Sequence, residues 1–234
     1  MSATMPAPDG PVTSVAAAIA RMQAIEAALP VTDGLACFNR MYLDVTTQVN
    51  SQLGQGFFAD PAFMGQLDVT VANLYFDAAD TAGTPAAVPL AWRPLVERRA
   101  AAGIEPVQFA LAGMNAHINH DLPLAMVSTC TTLTTSPDAD PHFADYQKVD
   151  RLLDAAEQSI RQSFEASPER AVDRHLTAVA TLTANWTINS ARDLAWNNCL
   201  LLWAVRHDPI ARGLLLNTLA ASTALASQML LVAV

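Results

Sequence analysis

Apolar residues recur every three or four positions along most of the chain, and this spacing is typical of amphipathic helices. No stretch alternates apolar and polar residues as a half-buried strand would. The pattern therefore predicts an all-α fold. The predicted helices cover residues 13–29, 35–53, 61–79, 90–102, 106–127, 141–166, 168–186, 188–207 and 209–232.

Four of the predicted helix starts share a motif in which a capping residue precedes a proline. Proline is favoured at the first helical position because its missing amide would have no partner there. The four pairs are Asp60-Pro61, Asp140-Pro141, Ser167-Pro168 and Asp208-Pro209. No repeat of fixed period is present, so we predict one helical domain over residues 13–234, a bundle of eight or nine helices, after a disordered lead-in over residues 1–12.

The stretch 113–123, GMNAHINHDLP, interrupts this apolar pattern with a cluster of polar residues. On an α-helix His117, His120 and Asp121 fall within roughly 100° of one another and point the same way. Asn115 and Asn119 lie on nearly the opposite side. A helix that is polar on two faces suits the centre of a bundle, so we expect residues 106–127 to be the central helix.

Pro123 lies directly after this cluster and lacks the amide that would bond the carbonyl of Asn119. A proline at such a position ends or kinks a helix. We therefore expect a loosened turn, and room for a pocket, beside His120.

Asp68 is the best partner for the cluster from elsewhere in the chain, because it lies on the apolar stripe of the predicted helix 61–79 and should point inward. Zinc and non-haem iron take at least three protein ligands, and one helix supplies only part of such a set. We therefore predict Zn or Fe as a possible cofactor, held by His117, His120, Asp121 and Asp68.

Other polar side chains fall on helices that could reach the same place. Arg192 is predicted to orient a substrate carboxylate, and Tyr146 is near the start of the predicted helix 141–166. The sequence leaves open whether three further residues join the site: His175, Asp145 and Asp150.

Charge and composition restrict the classes of molecule that the protein is expected to bind. Hydrophobic residues make up 52% of the chain and charged residues 15%, with a net charge of -9 and no cluster of Lys or Arg. We therefore expect neither nucleic acid nor anionic lipid as a partner. Residues 213–234 carry no charge over a length that would span a membrane, but a small and polar stripe (Asn217, Ala221, Ala224, Gln228) favours a core or homodimer-interface helix.

The cysteines and the N-terminal sequence indicate the cellular compartment in which the protein is expected. Cys37, Cys130 and Cys199 are isolated and lack CxxC spacing, which favours a reducing environment over a disulfide framework. The start MSATMPAPDGPVTSV has neither a basic segment nor a continuous apolar segment of a secretory signal. We therefore expect a cytoplasmic location.

Three segments resemble a bacterial family of unknown function, DUF5995: GMNAHINHDL, FADPAFMGQLDVTVANLYF at 58–76 and ARDLAWNNCLLLW at 191–203. The resemblance supplies no activity. It implies that the following residues match the family's recurring positions: Asn115, His117, Asn119, His120, Asp121, Asp68, Arg192 and Trp196. Among these, we assign Asn115, Asn119 and Trp196, together with Tyr146, to substrate binding.

A looser likeness is to the HD-type metal phosphohydrolases, which are all-α and carry an adjacent His-Asp pair, here His120-Asp121. Those enzymes also use an upstream histidine on another helix. This chain has no histidine before His117, so that ligand is missing.

The cluster predicts an enzyme that acts on a small molecule in a pocket between helices. Its expected catalytic residues are His117, His120, Asp121, Asp68 and Arg192. With Zn or Fe bound, the expected chemistry is hydrolysis or oxygen-dependent oxidation. Two alternatives remain: metal-free acid–base chemistry in a lyase or cyclase, and a non-catalytic ligand-binding or scaffold protein in which the same residues form a buried hydrogen-bond network.

Overall fold

The computed structural model describes residues 10–165 and 188–233, with the backbone alone at residue 85 and from 154 to 165. Within these ranges all regular secondary structure is helical and no strand is present. The all-α prediction is therefore confirmed. The helices are α1 (Val15–Ala28), α2 (Gly34–Leu53), α3 (Pro61–Asp80), α4 (Arg93–Arg98), α5 (Pro106–Ala116), α6 (Leu122–Thr132), α7 (His142–Glu165), α8 (Ile188–Ala204) and α9 (Pro209–Leu230).

Two of the four predicted capping prolines begin helices as expected. The Asp60 side chain accepts a hydrogen bond from the amide of Phe63, and Asp208 accepts from two amides at the start of α9. At the pair Asp140-Pro141 the helix α7 begins one residue after Pro141, so the predicted boundary was wrong by one position. The pair Ser167-Pro168 and the predicted helix 168–186 lie outside the described residues.

The centre of the bundle is the segment α5–α6, as predicted. Every residue of α5 from Val107 to Ala116 is buried. This helix packs against α2 on one side and against α9 on the other, while α6 packs against α3 and α8. The polar cluster therefore lies where most of the other helices meet.

A π turn over His117–Asp121 joins α5 to α6. In this turn the amide of Leu122 bonds the carbonyl of His117, five residues back. Pro123 therefore falls in the first turn of α6, where its missing amide needs no partner within that helix. For this reason the chain stays helical to Thr132 without ending at Pro123, and the loosened turn expected beside His120 is the π turn.

Gly113 allows α2 and α5 to come very close together. A Cβ atom at this position would lie only 2.5 Å from ring atoms of Phe38 on α2. That distance is far inside van der Waals contact, so any larger residue would push Phe38 aside. The glycine thus fixes how closely Phe38 approaches the central helix.

The end of α9 is fastened to the start of α5 by Gln108. Its side-chain Oε1 accepts from the amide of Glu105, at 2.9 Å, and completes a capping box. Its Nε2 donates to the carbonyls of Leu230 and Val232, at 2.7 and 2.8 Å. One amide side chain therefore satisfies backbone groups of two helices.

The last helix, α9, is buried on one side only. Residues such as Leu219 and Ala224 face the core, whereas Ile210, Leu214 and Leu225 are exposed by 83%, 70% and 60%. In the part of the chain that the structure describes, no helix combines the length and the hydropathy needed to cross a membrane.

Candidate functional site

A cavity of about 90 Å³ lies between α2, α3, the π turn, α7 and the start of α8. Most of its described wall is apolar and aliphatic or aromatic. Five residues with polar groups also line it, namely Tyr42, Asp68, His117, Tyr146 and Arg192. A mainly apolar cavity with a few converging polar groups is the usual form of a small-molecule site.

Asp68 reaches this cavity from α3, as its place on the apolar stripe predicts. Its Oδ2 atom is shielded from solvent and has no hydrogen-bond partner within the described chain. Burial raises the pKa of the carboxyl group from 3.8 to about 7. Asp68 therefore carries a proton for much of the time near neutral pH.

His117 reaches the same cavity from the π turn. Its Nδ1 atom is also buried and unpartnered among the described residues, and its ring lies 4.2 Å, centroid to centroid, from that of Tyr42. Burial, together with the positive charge of Arg192, lowers the pKa of the imidazole from 6.5 to about 3. His117 is therefore neutral at physiological pH and able to accept a proton.

Arg192 lines the cavity from α8, but its guanidinium group is largely committed to the protein. Its Nε donates to the carboxylate of Asp150, and its Nη2 donates to the backbone carbonyl of Tyr146 at 2.6 Å. The guanidinium carbon lies 3.9 Å from the centre of the Tyr146 ring. Arg192 thus joins α7 to α8, and Asp150 offsets its charge beside the cavity.

His120 and Asp121 lie behind the cavity wall rather than in it. Asp121 is buried, its Oδ1 lies 2.7 Å from Nδ1 of His120, and its Oδ2 accepts from the indole of Trp92 at 2.8 Å. Burial raises the pKa of Asp121, and the contacts with His120 and Trp92 oppose that rise. The same Oδ2 is 4.0 Å from Nδ1 of His117, so Asp121 stands between the two imidazoles.

The π turn explains why these three residues do not converge on one point. The expectation of a common face assumed α-helical spacing, whereas a turn closed by a bond five residues back is wider. His120 is thereby turned away from the cavity that His117 lines. Single π turns inside α-helices occur often at functional sites.

The predicted metal ligands are not brought together as a set. Among the residues that the structure describes, no three His, Cys, Asp or Glu side chains lie where they could hold one ion. Asp68 and His117 face the cavity, while His120 and Asp121 bond each other outside it. The predicted Zn or Fe therefore lacks a complete ligand set in this part of the chain.

The two asparagines of the cluster fasten the central helix to α9. Asn115 donates to the carbonyl of Thr223 and to the hydroxyl of Ser227, both at 2.9 Å. Asn119 in turn donates to Asn115 Oδ1 at 2.9 Å. Their predicted role in substrate binding stays a prediction, although neither residue lines the cavity and both contribute to a network between helices.

Tyr146 and Trp196, the other predicted substrate contacts, differ in position. The Tyr146 ring lines the cavity, while its hydroxyl donates to the carbonyl of Arg192 at 2.7 Å. Trp196 packs behind it, between Tyr146 and Phe143, with ring centroids 5.1 and 4.6 Å away. Trp196 thus supports the wall instead of forming it.

Asp145, which the sequence left undecided, has a structural role. Its fully buried carboxylate accepts from the amides of Ala59 and Asp60, at 3.0 and 2.6 Å, and pairs with Lys148 at 2.7 Å. It thereby holds the loop before α3. His175 lies outside the described residues.

Two residues of this region were not among the sequence-based candidates. Tyr42 belongs to the apolar stripe of α2, so its place in the wall was open to prediction, but the contact of its ring with the tilted ring of His117 was not. Trp92 precedes α4 and bonds an aspartate 29 residues further along the chain. Helical periodicity carries no information about such a contact.

Comparison with known proteins identifies a family. A family model described as "Family of unknown function (DUF5995)" matches residues 15–233, which is nearly the whole chain. No curated protein and no solved structure matches the sequence.

Proposed function

This chain belongs to DUF5995, a family of unknown function, and we propose that its central cavity binds a small, mainly apolar molecule on which Asp68 and His117 carry out metal-free acid–base chemistry. One observation carries the proposal. The two side chains line one cavity, and each has a buried polar atom without a partner in the described chain. Such atoms are costly unless a ligand completes their hydrogen bonds.

The protonation states support complementary roles for the pair. Asp68, with a pKa of about 7, is an acid that donates a proton to an oxygen atom of the ligand. Neutral His117 has a lone pair for a proton from a neighbouring carbon, and the carboxyl group of Asp121 beside it would offset the basicity that burial removes. Two titratable groups whose environments move their pKa values in opposite directions are typical of acid and base partners. An elimination or a cyclisation is the corresponding reaction class.

Asp121 acts as a positioning residue in this proposal. Its Oδ2 lies 4.0 Å from Nδ1 of His117, which is too long for a hydrogen bond. The carboxyl group of Asp121, which Trp92 and His120 hold in place, would therefore act across this gap through its negative charge. This charge would stabilise the imidazolium that forms after proton transfer and would leave Nδ1 of His117 for the ligand.

The size and charge of the cavity restrict the substrate. At about 90 Å³ it is smaller than the cavity of roughly 150 Å³ that accommodates benzene in an engineered protein. It therefore suits a very small molecule or the reactive end of a longer one. Because Asp150 already pairs with Arg192, a neutral carbonyl group is favoured over a carboxylate as the polar part of the ligand.

Exchange of deuterium into a small ketone tests this chemistry. We expect the protein to accelerate the incorporation of solvent deuterium at the α-carbon of acetone, measured by proton NMR, because this exchange needs an acid at the oxygen and a base at the carbon. Asp68→Asn and His117→Phe should each lower the rate at least tenfold. Asp44→Asn, at an exposed position of α2, is the matched control and should leave it unchanged.

Two experimental outcomes would contradict the proposed acid–base chemistry. Equal exchange rates for the wild type, Asp68→Asn and His117→Phe would remove the acid–base roles. Elemental analysis of protein purified without a histidine tag should show no stoichiometric transition metal. A full equivalent of Zn or Fe would instead favour metal-dependent hydrolysis or oxidation.

We further propose that the protein is cytoplasmic and forms a homodimer. Its three cysteines are free and buried, which suits a reducing compartment. The uncharged helix α9 leaves large apolar side chains, among them Leu214 and Leu225, on the surface. A second copy of the chain is the partner that would cover them.

A further inference from the structure

A second, larger depression lies on the other side of α3 and α6 from the central cavity. It has a volume of about 1030 Å³ and lies between these helices, the segment after α6, the end of α8 and the start of α9. The two sites share the helix α3, which turns Asp68 towards the cavity and Thr70 towards this groove. We call it the hydroxyl groove, because its polar lining includes Thr70, Ser128, Thr131, Thr132, Thr134 and Thr135.

The hydroxyl groove carries positive charge in a protein whose net charge is -9. Arg206 and Arg212 line it, and none of its described lining residues is acidic. No described carboxylate lies within ion-pair distance of either arginine, although Arg21, Arg40, Arg99 and Arg192 elsewhere all have such partners. The nearby Asp208 is engaged by the amides of Ile210 and Ala211.

One of these arginines is held in position. Nη1 of Arg206 donates to the carbonyl of Trp203 at 2.7 Å, and its guanidinium carbon lies 4.1 Å from the centre of the Trp203 ring. This stacking orients the planar group while its remaining N–H groups stay available. Such a guanidinium is suited to bidentate binding of a phosphate.

We propose that the hydroxyl groove binds a small phosphorylated polyol. Two guanidinium groups that pair with no described carboxylate match the charge of a phosphate monoester, which is about -1.5 to -2 at neutral pH. The row of threonine and serine hydroxyls supplies hydrogen-bonding groups for a polyol. Thr70 and Thr131 already donate to carbonyls of their own helices and therefore offer acceptors to the ligand. The hydroxyl groove, with a volume of about 1030 Å³, accommodates a sugar-sized ligand.

Calorimetric titration of the full chain tests this assignment. The ligands are glycerol 3-phosphate, ribose 5-phosphate and glucose 6-phosphate, each beside its unphosphorylated polyol and inorganic phosphate. We expect at least one ester to bind with a dissociation constant below about 1 mM. Arg206→Ala and Arg212→Ala should each weaken that binding at least tenfold. Arg151→Ala, which removes an exposed arginine outside the groove, is the matched control and should not change it.

Three outcomes would overturn the proposal: no saturable binding of any ester, equal binding by the two groove variants and the wild type, or inorganic phosphate binding as tightly as the esters. Far-ultraviolet circular dichroism checks that the variants are folded, which is expected because both arginines are exposed. Asp68→Asn should leave ester binding intact, so failure here is distinguishable from failure of the chemistry proposed for the cavity.

Discussion

At the scale of single residues, Asp68 and His117 are notable because one environment changes their pKa values in opposite directions. Burial disfavours the charged form of each, so the carboxyl group keeps its proton and the imidazole loses its own. Both side chains are therefore mostly uncharged between about pH 3 and pH 7. An apolar cavity can hold them without a counter-ion.

This pair predicts two opposing effects on the pH dependence of stability. Between about pH 4 and pH 7 the unfolded chain has lost the proton of Asp68 while the folded chain retains it, so the free energy of unfolding falls as the pH rises. Between about pH 6.5 and pH 3 the unfolded chain protonates His117 while the folded chain does not, so the free energy of unfolding falls as the pH drops. In the wild type the two effects largely cancel.

Single variants separate these effects. As the pH rises from about 4.5 to about 6.5, the free energy of unfolding of Asp68→Asn should increase by about 2 kcal/mol more than that of the wild type. Over the same rise in pH, the free energy of unfolding of His117→Phe should decrease by about 2 kcal/mol relative to the wild type. Urea denaturation at both pH values measures this, with Asp44→Asn as the exposed control. If the unfolding free energy of either variant changed with pH as it does in the wild type, the protonation state assigned to the substituted residue would be contradicted.

The sequence was informative about which residues turn inward and less so about what they meet. The apolar stripes of α2 and α3 identify much of the cavity wall, including Asp68, because burial follows the helical period. The bonds of Asp121 depend instead on Trp92, which is distant in the chain. Contacts of this kind arise from tertiary packing and leave no local pattern.

At the scale of helices and turns, the boundaries that follow from local chemistry were predictable. The helices after Asp60 and Asp208 begin as expected, because their caps and prolines act within one turn. The π turn was not predictable from the spacing of residues 117–121, since the same spacing suits an α-helix. That one difference separates His120 from the cavity.

The contact between α2 and α5 gives a prediction at this scale. Gly113→Ala should lower the free energy of unfolding by about 1–3 kcal/mol, because its Cβ would overlap the ring of Phe38, which also lines the cavity. Gly65→Ala is the matched control on α3, where the nearest atom would be 3.7 Å away. It should stabilise the protein by about 0.5–1 kcal/mol, since alanine is the better helix former.

Chemical denaturation of both glycine variants gives these values directly. The change at residue 113 should also reduce the deuterium exchange of acetone, because a displaced Phe38 narrows the cavity. If both substitutions had the same effect on stability, the close approach at Gly113 would not be a constraint.

At the scale of the whole molecule, the exposed face of α9 predicts self-association. Sedimentation velocity should show a dimer of the wild type, and Leu214→Glu or Leu225→Glu should shift it to the monomer, because each places a charge in the proposed interface. Leu194→Glu, at a residue of α8 that is 52% exposed, is the matched control and should remain dimeric. A monomeric wild type at high micromolar concentration would refute the interface.

The architecture itself was predictable because many weak patterns agreed. Apolar spacing, capping residues and the absence of strand-like alternation all indicated helices, and the doubly polar helix is indeed central. The asparagines show the limit of this inference. Their side of the helix was identified, but the partner of Asn115 lies on α9, more than a hundred residues away.

The side chain of Gln108 ties together two places that are far apart in the chain, the beginning of α5 and the last turn of α9. Because a single side chain serves both, unravelling at either end removes bonds that hold this side chain in place for the other. Local opening at the C-terminal end of α9 is thereby transmitted to the N-terminal end of the buried central segment. The two regions should therefore exchange their amide hydrogens as one cooperative unit.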